Sequence, residues 1–325
     1  MANLGTLLEN YKTVSLVGMA KNAGKTTALN YLIEHNAKRD IPLALTSIGR
    51  DGEELDIVTA TKKPKIYVPK GSVIATAEGL LGLADITAEI HKCMDINTPM
   101  GRILIVRARS GGFVQLGGAP TTGQTLEIVA EFWKLGIGKI LIDGAISRKN
   151  ISNPTLAEAV VLCTGASLAE NIGTVVKKTL HAAEILMLPA YIANGNKMFN
   201  STKATHKNQE QCTGRGLPFP GDDSPTPFFF QGAVTDAKIT AFLHSGDEVK
   251  NRIFVAEEPS KILIGAKAYE KLLARGGKLC VKSTANLAAI TVNPVSPKGF
   301  TFPKEEFLHE MSNAVGVPVF DVLNA

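Results

Sequence analysis

Gly18-Met19-Ala20-Lys21-Asn22-Ala23-Gly24-Lys25-Thr26 decides how the rest of this 325-residue chain is read. The stretch fits the pattern GxxxxGK[ST], and ordinary residue frequencies give roughly one chance match per hundred chains of this length. Its neighbours strengthen the reading. The apolar run Thr13–Gly18 (TVSLVG) before it reads as a strand, and the stretch from Lys25 to about Ala37 after it reads as a helix. On that helix Leu29, Leu32 and Ile33 share one face, as a core-facing stripe requires.

The chemistry follows from the residue types. Glycines let the chain curl so that successive backbone N–H groups point at phosphate oxygens, and the helix amino terminus adds partial positive charge. Lys25 would bridge the β- and γ-phosphates and the Thr26 hydroxyl would ligate Mg²⁺. The expected nucleotide-binding residues are therefore Gly18, Met19, Ala20, Lys21, Asn22, Ala23, Gly24, Lys25, Thr26 and Thr27. Lys21 is extra to the pattern and either reaches a γ-phosphate, serves a partner's nucleotide, or is solvated. Guanine-specific proteins use an NKxD segment, whereas Asn196-Lys197-Met198-Phe199 lacks the aspartate. Adenine is preferred by default, so the expected ligands are ATP and Mg²⁺.

Outward from the loop, short apolar strands alternate with amphipathic helices. Residues 42–48, 103–107, 140–143 and 160–164 read as strands, and Thr121 or Thr122 caps a helix carrying Leu126, Val129 and Trp133 on one face. Strands without polar alternation, separated by helices, indicate a parallel sheet covered on both faces, the α/β class with a P-loop NTPase-type sheet. Residues 193–227 are rich in Asn, Lys, Gly, Ser, Thr and Pro and read as a linker or extended surface loop. That divides the chain into a nucleotide-binding domain over 1–192 and a smaller C-terminal α/β domain over 228–325.

Asp143 ends the ILID strand, where a carboxylate can join the magnesium water shell, so Asp143 and Lys25 are the candidate catalytic pair. Asp51 follows the second strand and is the other metal candidate beside Thr26 and Asp143. Its segment resembles the GPD element of dethiobiotin-synthetase and cobyrinate-synthetase relatives, with Arg50 in place of proline. Arg50, Arg107, Arg109 and Arg148 lie at expected strand ends, where each could neutralise phosphate or simply face solvent.

Composition excludes several classes. The net charge of +5 is scattered, without the basic face or arm that nucleic-acid binding needs. Four isolated cysteines give neither a zinc pattern nor a disulfide framework. No apolar run approaches the ~20 residues of a membrane helix, and a cytoplasmic protein is expected.

Several strings taken together resemble one family. VGMAKNAGKTTALNYL (17–32), TSIGRDGEELD (46–56), IYVPKGSVIAT (66–76), LIDGAISRK (141–149), LCTGAS (162–167) and VNPVSPKGF (292–300) are similar to the smaller P-loop reactivating component associated with adenosylcobalamin-dependent lysine 5,6-aminomutase. The resemblance implies an ATPase working with a larger, MutS-like reactivase subunit on an aminomutase whose cobalamin has lost its adenosyl group. Only nucleotide-binding residues carry over by position; no DxHxxG cobalamin string is present. Two other functions stay open on sequence alone: an ATP-dependent synthetase or kinase of the dethiobiotin-synthetase type, with Gly111-Gly112 and Gly117-Gly118 as acceptor loops, and a non-hydrolysing nucleotide sensor. Homo-oligomerisation is also open.

Overall fold

The computed structural model describes residues 3–48, 65–145, 156–193, 212–214, 226–244, 249–250 and 252–321. The strand before the glycine loop, β1 (Thr13–Gly18), lies inside a nine-stranded sheet. Its other strands, in chain order, are β2 (Leu43–Ser47), β3 (Val73–Ala77), β4 (Ala88–Thr98), β5 (Gly101–Ala108), β6 (Lys139–Ala145), β7 (Ala159–Gly165), β8 (Leu287–Asn293) and β9 (Val319–Asp321). Across the sheet the order is β9-β8-β7-β1-β6-β2-β3-β5-β4. Pairing is parallel from β9 through β3, then antiparallel at β3–β5 and β5–β4.

The expected all-parallel sheet is therefore mixed. β5 is joined to β4 by the tight Pro99-Met100 turn, followed by Gly101 at φ 95°, too short a link for a parallel crossover. Every residue of β1, β2 and β7 is buried, which requires cover on both faces. On one face Val14, Leu16, Leu45, Leu141 and Val161 pack with Ala28, Leu29, Leu32 and Ile33 of helix α1 (Lys25–Ala37). Helix α2 (Thr122–Lys134) starts at Thr121, whose hydroxyl accepts from the Gln124 N–H. Its buried residues are Thr125, Ile128, Val129 and Phe132, while Trp133 is 38% exposed. The apolar face is thus turned from the expected Leu126–Val129–Trp133 set to Ile128, Val129 and Phe132. On the opposite sheet face from α1, Thr164 of β7 lies 2.7 Å from Thr179 of helix α3 (Ile172–Leu186), hydroxyl to hydroxyl.

At the amino-terminal edge of the sheet, Lys139 is 3% exposed. Its ammonium donates to the carbonyls of Leu8 (2.6 Å), Glu9 (3.3 Å) and Tyr11, and burial pushes its pKa down against the opposing pull of Glu158 and Glu9.

The chain forms two units. One runs up to Thr179 and resumes at Leu287; the other takes in Leu180–Asn286. The small unit is an insertion, so the expected division at 193–227 is corrected: the chain past Leu287 returns to the large sheet as β8, β9 and helix α4 (Lys304–Ala314). The buried strand Leu287–Asn293 (LAAITVN) finds its partner in β7, a pairing that local composition does not reveal. The inserted unit has its own parallel sheet of Thr226–Phe229, Arg252–Ala256 and Lys278–Val281 over a core of Phe230, Val234, Ile239, Phe254, Leu272 and Val281. Within the expected linker, Cys212–Gly214 pairs with Tyr191–Ala193. Among the described residues no helix is long and apolar enough to cross a membrane.

Candidate functional site

β1 is flanked on one side by β6 and on the other by β7, with Gly18 in register with Ala145 and Cys163. Parallel flanking strands bring three carboxyl ends to one edge of the sheet, the usual place for a ligand crevice. The chain leaves β1 through Met19, whose N–H donates to the Cys163 carbonyl at 2.9 Å. It then turns through two left-handed residues, Asn22 at φ 62° and Gly24 at φ 85°. Glycine adopts that region freely and asparagine tolerates it, so the residue types fit the bend.

Gly24 is also the N-cap of α1, and no side chain caps that helix. The first-turn N–H groups of a helix have no intrahelical acceptor. Thr121 of α2 shows the alternative, a side-chain cap that α1 lacks. α1 thus offers uncapped donors and its positive dipole end directly after a left-handed turn, the arrangement that holds oxyanions.

Lys25, the first residue of α1, folds back across Gly18, where a Cβ would stand 3.4 Å from the lysine Cδ. Its ammonium lies 2.8 Å from Asp143 Oδ1. The lysine side chain is 18% exposed and the aspartate 11%, so this ion pair is held largely out of water. Asp143 sits in β6 between Leu16 of β1 and Ser47 of β2, with its own carbonyl accepting from the Ile48 N–H at 3.0 Å. The two residues expected as the catalytic pair are brought together. Thr26 and Thr27, in the first turn of α1, are half-buried, and Lys21 and Asn22 are exposed.

The donor set suits magnesium held mainly by phosphate. Such sites use one or two carboxylates and a hydroxyl in place of an all-protein cage, and Thr26 and Asp143 supply both types. Among the described residues no group of three or more His, Cys, Asp or Glu forms a cage. Asp51, Arg50 and Arg148 lie outside the described residues.

Arg107 and Arg109 are not part of this edge. Because β5 runs antiparallel to β3, its carboxyl end lies at the opposite edge of the sheet from the glycine loop. There Arg107 donates to His91 and to the Gly71 carbonyl, and Arg109 pairs with Glu89. The glycines expected to form an acceptor loop have packing reasons to be glycine. A Cβ on Gly118 would stand 1.6 Å from the Ser47 carbonyl oxygen, one on Gly112 2.4 Å from that of Asp85, and one on Gly117 2.5 Å from Leu80. An open cavity of about 480 Å³ elsewhere in the same unit is lined by Glu170, Glu306 and Glu310 beside Ile172 and Phe302, a charge set that repels phosphate.

Sequence reading missed two groups that touch the loop. One is the Cys163 carbonyl already described. The other is Asn293 at the end of β8, whose side-chain amide donates to the Asn22 carbonyl at 3.0 Å. The only trace of it was VNPVSPKGF, a string noted for its resemblance and assigned no role.

Fold and site together define an α/β protein: a large mixed central sheet, helices on both sides, and a left-handed glycine loop opening an uncapped helix. Comparison of the chain with protein-family models, with curated proteins and with solved structures finds no match.

Proposed function

We propose that this chain is a P-loop ATPase that binds MgATP through residues 18–27 and does its work on another protein. The observation that carries the reading is the Lys25–Asp143 pair at 2.8 Å, set beside an uncapped helix start at the carboxyl ends of parallel strands. A lysine aimed at a polyanion site and a carboxylate one hydrogen bond away are the two charges that phosphoryl chemistry requires. MgATP, when bound, supplies the phosphoryl group and the hydrolysis energy. The Lys25 ammonium has three N–H donors, so it can serve phosphate oxygens as well as Asp143, and Asp143 beside it is placed to join the magnesium water shell. The backbone N–H groups of the loop orient the phosphates, and the buried aliphatic floor of β1, β6 and β7 keeps that edge from shifting.

The resemblance carried by GMAKNAGKTT, TSIGRDGE and DGAISRK supplies the client: an adenosylcobalamin-dependent aminomutase, reached through a larger MutS-like subunit. ATP would bias a two-state complex toward release of damaged cofactor. Phosphate release should be measured for the chain alone, with the large subunit, and with both plus an inactivated aminomutase. Turnover rising with the partners, and aminomutase activity returning only with MgATP, is the expected result. Phosphate release tied to consumption of a metabolite without partners would replace this reading with a synthetase.

A further inference from the structure

The loop's shape depends on a residue far away in the chain. The planar peptide joining Asn22 to Ala23 points its carbonyl one way and its N–H the other. The carbonyl accepts from Asn293 Nδ2 at 3.0 Å, and the N–H faces across the loop to the Ala20 carbonyl at 3.4 Å. Asn293 is itself fixed. Its Oδ1 accepts from the Val295 N–H at 3.1 Å, which leaves the NH₂ end for Asn22, and its backbone carbonyl accepts from the Ala166 N–H at 2.9 Å. That last contact is why position 165 is glycine: a Cβ there would stand 2.4 Å from the Asn293 carbonyl oxygen.

We infer that Asn293 is a positioning residue for phosphate, latching the Asn22–Ala23 peptide so that its carbonyl oxygen stays turned away from the bound anion. This deepens the nucleotide-binding reading above and rests on it. Asn22 is left-handed, a backbone state with ready alternatives, and rotation of this one peptide would aim a carbonyl dipole into the phosphate cradle. The latch also gives the returning segment β8 a part in the site, since Asn293 is its last residue.

The test compares wild type, Lys25→Ala, Asn293→Ala and Asn293→Asp in the full chain. Affinities for MgATP and for tripolyphosphate are measured by calorimetry, with a thermal melt for each protein. Loss of one hydrogen bond that holds the cradle should weaken both ligands about tenfold in Asn293→Ala. Asn293→Asp keeps the shape and the Val295 acceptor but has no donor for Asn22 and brings a negative charge. It should lose more than the alanine variant, with the excess shrinking as salt is raised. Should the alanine variant fail to fold, the aspartate variant decides alone. Wild-type affinity in both Asn293 variants, with Lys25→Ala defective, overturns the latch and leaves the phosphate loop standing. Weakened MgATP with unchanged tripolyphosphate also overturns it, because Asn293 would then act on the base. If wild type binds neither ligand, or Lys25→Ala binds as wild type does, the nucleotide reading fails and the latch falls with it.

Discussion

All of β1 (TVSLVG) is buried, whereas in β4 (AEIHKCMDINT) only Met94 and Ile96 are. Both strands belong to one sheet. β1 is pressed between helices and has parallel neighbours on both sides, so its carboxyl end meets those of β6 and β7 at one edge of the sheet. β4 is an antiparallel edge, interrupted by register shifts after Ile90 and Cys93, with Ile90 60% exposed. Shifts of this kind and exposed charge are what keep a free edge from pairing with other chains. The first strand suits the proposed site because burial fixes the backbone there and parallel direction converges its loops; the second has neither condition.

If that contrast is sound, truncating the two strands must give different results. Leu16→Ala, at a position with no exposure, should cost about 3–4 kcal/mol in urea denaturation. A loss below about 1 kcal/mol would mean the middle of the sheet is not the tightly packed floor described here.

The cysteines sharpen the same contrast. Cys163 in β7 is buried, and burial pushes its pKa up to about 11 from 9.0, against smaller lowering effects of Thr291 and Lys25. Its folded pKa exceeds the unfolded one, so the thiol's contribution is complete below pH 9.0 and is lost as pH rises toward about 11. Cys163→Ala should flatten the pH dependence of stability in that window by up to about 1.4 kcal/mol per pH unit. Native Cys93, exposed on β4, should take a thiol reagent at neutral pH while Cys163 stays unlabelled.

Asp143→Asn should weaken the Mg²⁺ dependence of nucleotide binding about tenfold, read from titrations at several metal concentrations. An unchanged metal requirement would reduce Asp143 to a partner that merely holds Lys25. Smallest of all, Ile90→Ala on the open edge should move stability by less than about 0.5 kcal/mol.

Much of the candidate site was legible because its elements are local. A strand rich in apolar residues, a glycine turn and a helical stripe over 13–37 are contiguous in the chain, and ILID announces its carboxylate. β4 was not legible: its polar, interrupted sequence shows no period of two, since half its residues face water on both sides. The domain division failed for another reason. Composition marks 193–227 as unlike its surroundings, but only the pairing of β8 with β7 shows that the chain comes back afterwards. Asn293 shares that obstacle, because an asparagine before a proline reads as a turn unless its partner at Asn22 is known.

The central claim is that the loop at the end of β1 grips phosphate through Lys25. Calorimetric titration of MgATP into wild type and Lys25→Ala, with matched thermal melts, tests it most directly. Removing the ammonium forfeits charge-assisted bonds to phosphate, so the account predicts saturable wild-type binding and a variant at least about a hundredfold weaker, with its fold intact. Equal affinity in the two proteins would contradict it.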